Sequence, residues 1–226
     1  MQTEHSLVRI GPDFDGGYLV PNDLENIQAV FSPGVSETLG FDLEMSDRCD
    51  HCYLADASVG EPKNMPPNMS FLNKFIGNSN DADFISFDEW VASNEPGGQD
   101  LLLQMDIEGA EYDVINTAAD GVLSRFRIIL LEFHDFENVF DRGRFDSFCK
   151  TINKLNETHI LCHLHSNNTK PYYTFENTLV APVFEASFIR RDRVQSVIKP
   201  ALAPHPLDQA NSEKLPDERI PRFWLV

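Results

Sequence analysis

Leu101 to Ile115 read LLLQMDIEGAEYDVI, and this stretch decides the fold. Five residues, apolar but for Gln104, run straight into four acids, Asp106, Glu108, Glu111 and Asp113, with a single glycine among them. A short continuous apolar run suits a strand buried on both faces, and such strands belong to parallel sheets covered by other elements on each side. In open sheets of that kind, ligands collect beyond the carboxyl ends of the strands. A strand is therefore expected over LLLQMD, with Asp106 emerging at its carboxyl edge and Glu108 in the turn. A helix is expected over Ala110 to Ala119, and acids in its first turn, Glu111 and Asp113, also suit the helix dipole.

The alternation continues outward in both directions. Upstream, GYLV (Gly17 to Val20), QAVFSP (Gln28 to Pro33), HCYLAD (His51 to Asp56) and MSFLNKFI (Met69 to Ile76) read as strands. Leu39 and Leu43, with Phe41 and Met45 offset, carry helical spacing over Glu37 to Arg48. Ser86 with Glu89 three residues on forms a capping box at the start of another helix. Downstream, RIILLEFH (Arg127 to His134), HILCHLH (His159 to His165) and TLVAPVFEASFI (Thr178 to Ile189) are expected strands. Phe145, Phe148, Ile152 and Leu155 mark one face of a helix between the first two. Strands alternating with helices argue an α/β sheet covered on both faces.

At 226 residues the chain suits one domain with appendages. Residues 1–198 form the expected domain, with an Asp-Gly-Gly-Tyr segment in residues 1–27. Residues 199–226 hold Pro200, Pro204, Pro206, Pro216 and Pro221 and read as an extended arm. Its apolar PRFWLV end needs a surface, on this chain or on a second copy, which makes it a candidate exchange arm between subunits.

Eighteen Lys and Arg against thirty-six Asp and Glu give a formal net charge of -18. Such a surface repels phosphate backbones and anionic lipid, so neither nucleic acid nor membrane is an expected partner. The basic group Arg190, Arg191 and Arg193, interrupted by Asp192, reads as a solvated strand end. MQTEHSLVRIG has no apolar core of signal-peptide length, and the expectation is a soluble, cytoplasmic protein. Cys49, Cys52, Cys149 and Cys162 are too few for a disulfide framework. Cys49-Asp-His-Cys52 lacks the second pair that a zinc site needs.

The first crossover, SPGVSETLG (Ser32 to Gly40), selects among ligands. A dinucleotide site uses three closely spaced glycines so that a pyrophosphate can approach the backbone, but Ser36 and Leu39 stand at the second and third positions. S-adenosylmethionine, with one carboxylate and one ammonium at its amino-acid end, needs only Gly34 at the turn. Asp56, about twenty residues on at the end of the next strand, suits its ribose hydroxyls.

IGPDFDGGYLVP (Ile10 to Pro21), FSPGVSETLGFDLEM (Phe31 to Met45), LADAS (Leu54 to Ser58), QMDIEGAEYDVI (Gln104 to Ile115), LEFH (Leu131 to His134) and HLHSNN (His163 to Asn168) together resemble the FkbM-type S-adenosylmethionine-dependent methyltransferases. The resemblance covers most of the chain in the expected order, and its most specific part is Asp-Ile-Glu-Gly-Ala-Glu. It implies a Rossmann-like class I methyltransferase fold with a mostly parallel seven-stranded sheet. The cofactor would lie over Gly34 and Asp56, among Tyr18, Pro33, Val35, Ser36, Ala57, Asp106 and Glu108. The implied activity is O-methylation of a hydroxyl on a sugar or other small metabolite.

Methyl transfer to a hydroxyl requires attack geometry and removal or masking of a proton. His134 or Asp106 is the candidate general base, with Glu132 orienting it or the substrate. His163 and His165 project from one strand face, and with Asn167 and Asn168 they are candidates for acceptor binding. Asp106, Glu132 and His165 are the candidate ligands of a divalent cation, a weaker reading than pocket-lining because no close ligand spacing supports it. Two other classes share the crossover: a non-catalytic binding protein, and a nicotinamide oxidoreductase, which the missing glycines disfavour.

Overall fold

The computed structural model describes residues 1–36, 39–98, 100–176, 178–198, 204–218 and 220. Seven strands form the central sheet: β1 (Ala29–Pro33), β2 (His51–Ala55), β3 (Met69–Leu72), β4 (Leu101–Met105), β5 (Phe126–Phe133), β6 (His159–Asn167) and β7 (Val183–Arg190). Their spatial order is 3-2-1-4-5-7-6. All neighbours are parallel except β7, which runs antiparallel between β5 and β6. The helices are α1 (Gly40–Ser46), α2 (Phe87–Asn94), α3 (Glu111–Thr117), α4 (Asp120–Leu123) and α5 (Arg142–Thr158). The mostly parallel seven-stranded α/β sheet implied by the resemblance is present.

Alternation along the strands divides the core into two layers. Phe31, Leu101, Leu103, Met105, Ile129 and Leu131 pack on one side with Phe87, Trp90, Val114, Ile115 and Leu155 from α2, α3 and α5. Val30, Leu102, Ile128 and Leu130 face the other side, against Phe41 and Met45 of α1 and Ile10, Tyr18 and Val20. Those last three come from an antiparallel hairpin of Leu7–Ile10 and Tyr18–Pro21, which does there the work of a second helix. The central strands are thus buried on both faces, which is why Leu101–Met105 is buried throughout and apolar but for Gln104.

Several sequence expectations change in detail. Helix α1 is seen from Gly40; Glu37 and Thr38, included in the expected helix, lie outside the described residues. Ser86 accepts from the Glu89 amide at 3.3 Å, but the reciprocal half of the capping box is missing. The Ser86 amide donates to Asn80 and the Glu89 carboxylate takes Ser93. Phe145 is 48% exposed, so the buried face of α5 begins at Phe148. Pro182 splits the expected strand over Thr178 to Ile189: Thr178–Val180 pairs instead with Tyr173–Phe175, and β7 starts at Val183. All four cysteines are free. The PRFWLV end lies outside the described residues.

The two edges of the sheet are electrically opposite. At the amino edge Arg127 pairs with Asp23 and Asp100, Arg190 with Asp100 and Asp192, and Arg193 with Asp23. The basic group expected to be solvated therefore holds the start of β5 and the end of β7. At the carboxyl edge stand Asp15, Asp106, Glu108, Glu132 and Glu185, and among the described residues no Lys or Arg pairs with them. Among those residues, too, no helix is long and apolar enough to cross a membrane.

Candidate functional site

The turn after β4 answers why a buried strand should end in acids. The Asp106 amide donates to the Pro33 carbonyl at 3.1 Å, tying this turn to the end of β1. Glu108 (φ 53°) and Gly109 (φ 105°) reverse the chain in the left-handed region. Glu111, fully buried, folds its carboxylate back to accept from the Ile107 and Gly109 amides at 3.0 Å. It is a staple for the turn as well as an acid in the first turn of a helix. Gly34, at φ 83°, sits against the same turn: a Cβ there would come within 1.5 Å of the Asp106 carbonyl oxygen. The glycine is therefore required by the packing of β1 on β4, and its presence alone is no sign of a ligand.

Glu111 also accepts from His134, the residue after β5, whose Nδ1 lies 3.1 Å from Glu111 Oε1 and 3.2 Å from the Glu132 carbonyl oxygen. Both partners are acceptors, so Nδ1 carries the proton and Nε2 holds the lone pair of the neutral ring. Nε2 lies 3.6 Å from Asp106 Oδ1, 3.5 Å from Glu108 Oε2 and 3.7 Å from Glu132 Oε1. Asp106 Oδ1 is itself buried and without a hydrogen-bond partner. Burial, with the charges of Glu108, Glu111 and Asp15, raises the Asp106 carboxyl to about 7 against the pull of His134. Glu132 is pushed well above its ordinary range by burial and then by Asp106, Glu185 and Asp15. Burial alone would depress His134, but the Glu111 hydrogen bond and the surrounding carboxylates raise it.

A polar chain crosses the second core layer to reach this group. Ser32 donates to Gln104 (2.6 Å), Gln104 to the Tyr18 hydroxyl (3.1 Å) and Tyr18 to Glu132 (3.3 Å). Asn167 donates to the other Glu132 oxygen at 2.8 Å. Strand register sets Glu132 directly opposite Glu185, and Asn211 donates to Glu185 and, at 3.3 Å, to Asp15. Glu185 was legible as the one charge inside an apolar strand, VFEASFI, yet sequence reasoning passed over it. Asp15 entered only as the first residue of the Asp-Gly-Gly-Tyr segment, and Asn211 carries no local signal.

The four acceptor candidates separate. His163 pairs with Asp208 at 2.7 Å, and His165 lies 3.5 Å from Glu185 and 3.3 Å from Asp217. Asn168 donates to the Ser212 and Leu215 carbonyls. These three hold residues 204–218 on the sheet, and of the four only Asn167 hydrogen-bonds Glu132 itself among the described residues. The ring brought to Asp106 and Glu132 is accordingly His134, with ligand atoms of all three within 4.8 Å of one another; His165 is not in that group.

On the other side of the β1 loop a cleft of about 760 Å³ lies between Ser36, Leu39 and Leu43 and the loop from Ser58 to Asn64. That volume is in the range, about 300–1,000 Å³, of small-molecule sites. Asp56 stands at the end of β2 beside it, its Oδ1 fixed at 2.6 Å by both the amide and the hydroxyl of Ser58. Pro33 and Val35 are buried in the first loop, while Ala57 is half-buried and Ser36 exposed. Asp56 and the cleft thus stand on one side of the β1 loop, and the Asp106 carboxylate with its unpartnered oxygen on the other.

Residues 32–161 match the family described as the methyltransferase FkbM domain. The matched span contains Gly34, Asp56, Asp106, Glu111, Glu132 and His134. No curated protein matches the chain. Among solved structures it is similar to the 23S rRNA methyltransferase ErmE, at 13% identity over 78% of this chain and 66% of that one, with TM-score 0.42. It is also similar to a Methanococcus jannaschii fibrillarin pre-rRNA processing protein, at 6% identity over 83% of each chain, TM-score 0.44. A third is a Streptococcus mutans protein solved in complex with SAH, at 11% identity over 74% of this chain and 88% of that one, TM-score 0.35.

Proposed function

Because the chain belongs to the FkbM methyltransferase family, we propose that it transfers a methyl group from S-adenosylmethionine to a hydroxyl of a sugar or small metabolite. The observation that carries this reading is the convergence of Asp106, Glu132 and His134 at the carboxyl ends of β4 and β5, directly behind the β1 loop. S-adenosylmethionine supplies an electrophilic methyl on sulfur. Asp56, locked by Ser58, takes the ribose hydroxyls, and the cleft past Ser36 receives the rest of the nucleoside.

A hydroxyl is a poor nucleophile while it keeps its proton, so the protein has to remove or mask that proton. The Asp106, Glu132 and His134 group does so, and the Tyr18 and Asn167 hydrogen bonds hold Glu132 in place. Buried carboxyl groups without a Lys or Arg partner among the described residues also suit a neutral, polyhydroxylated acceptor better than a phosphorylated one. The test is a screen of sugars and hydroxylated metabolites with labelled S-adenosylmethionine. Asp106→Ala and His134→Ala should each lower turnover about 10²-fold or more, and in His134→Ala S-adenosylhomocysteine affinity should change far less. Wild-type turnover in both variants would overturn the assignment.

A further inference from the structure

We infer that Asp106, Glu132 and His134 bind a divalent metal ion at the carboxyl edge of the sheet. The inference rests on the methyltransferase reading only for the ion's role; its binding stands on the geometry.

The decisive atom is His134 Nε2. The side chain is 5% exposed, and its tautomer is set by two acceptors on Nδ1, Glu111 Oε1 and the Glu132 carbonyl. Nε2 therefore aims a lone pair at three carboxylate oxygens, and it makes no hydrogen bond among the described residues. The separations, 3.5 to 3.7 Å, are long for N–H···O contacts. They approach the spacing of two ligands on a common ion: donors each about 2.1 Å from a metal lie about 3.0 Å apart at the octahedral right angle and about 3.4 Å at the tetrahedral angle, so small side-chain shifts close the gap. Asp106 Oδ1, the nearer fixed oxygen at 3.6 Å, is buried and without a hydrogen-bond partner. An unsatisfied carboxylate oxygen and the imidazole Nε2 thus face one gap.

The surroundings are those of a metal site. A carboxylate hydrogen-bonded to the far nitrogen of a ligating histidine fixes ring orientation and raises ligand basicity; Glu111 occupies that position. Glu132 is held on both oxygens, by Asn167 at 2.8 Å and Tyr18 at 3.3 Å, so its carboxylate is oriented. Glu108, with its side chain 80% exposed, guards the open side. One imidazole with carboxylates and no thiol favours a hard or borderline ion such as Mn²⁺ or Mg²⁺. Three protein ligands leave coordination positions for the acceptor's hydroxyl oxygen. Bound there, the hydroxyl would become more acidic, its proton passing to Glu108 and on to solvent as oxygen attacks the methyl and the methyl–sulfur bond breaks, its electron pair leaving with sulfur as S-adenosylhomocysteine.

The test titrates MnCl₂ into the chelator-stripped full chain, followed by calorimetry and by electron spin echo modulation. The same protein is titrated with S-adenosylhomocysteine with and without Mn²⁺. The expected result is one Mn²⁺ per chain with nitrogen modulation from an imidazole, weakened at least 10-fold by Asp106→Asn or His134→Gln. No saturable Mn²⁺ binding, no nitrogen modulation, or binding unchanged in folded Asp106→Asn would each overturn the site. S-adenosylhomocysteine binding without Mn²⁺ binding would remove the metal alone, and Mn²⁺ binding without S-adenosylhomocysteine binding would remove the methyltransferase reading and leave the metal.

Discussion

Single residues carry more than one task at this site, and that limits what each says about function. Gly34 was read from sequence as the glycine that lets a cofactor approach, but the Asp106 carbonyl fills the space a side chain would need. Gly34→Ala should therefore destabilise the fold by roughly 3 kcal/mol, the sum of left-handed strain and overpacking. A urea midpoint equal to the wild type would contradict this, and the variant is a poor probe of cofactor binding. Glu111 is the reverse case. Its position in the first turn of α3 matched the ordinary preference for acids there, so nothing local revealed that its carboxylate folds back on the turn and orients His134. Asp106 and His134 were legible because each ends an apolar strand. Their meeting was not, because it depends on β4 and β5 being neighbours.

At the scale of elements, periodicity revealed nearly all of the sheet and missed what interrupts it. The strands β1, β2, β4, β5 and β6 lie within a residue or two of their sequence positions, since each is a compact apolar or alternating run. Pro182 removed the donor needed to continue one long strand, and nothing in GYLV showed that its hairpin would cover one face of the sheet beside α1. The first residue of β6 gives a pH test. His159 is fully buried with Nε2 2.7 Å from the Phe126 carbonyl, and burial depresses it to about 4. Between its ordinary 6.5 and about 4 the unfolded chain binds a proton that the folded chain does not. Stability from this group is complete above pH 6.5 and is lost as pH falls toward 4, on the order of 2–3 kcal/mol. The melting temperature should drop between pH 7 and 4.5 more steeply in the wild type than in His159→Gln; parallel curves would refute it.

For the whole molecule, the notable feature is the separation of charge along the strand direction. Arginines at the amino edge are consumed in ion pairs, and the carboxyl edge keeps a group of acids with no Lys or Arg partner among the described residues. Net charge announced an acidic protein, but only the strand order shows that the acids converge. Residues 204–218, part of the stretch expected as an extended arm, lie on this chain's own sheet through Asp208, Asn211, Ser212 and Leu215. Ending the chain at residue 198 would leave His163, Asn168 and Glu185 with buried groups unsatisfied. The melting temperature should fall by roughly 5–10 °C, and an unchanged melt would show that the segment contributes nothing. The central claim is cofactor binding behind the β1 loop. Calorimetric titration of the purified chain with S-adenosylhomocysteine tests it most directly, with Asp56→Ala beside it. One-to-one micromolar binding, weakened at least 10-fold by the substitution, is the predicted result; folded wild-type protein that releases no heat of binding would contradict it.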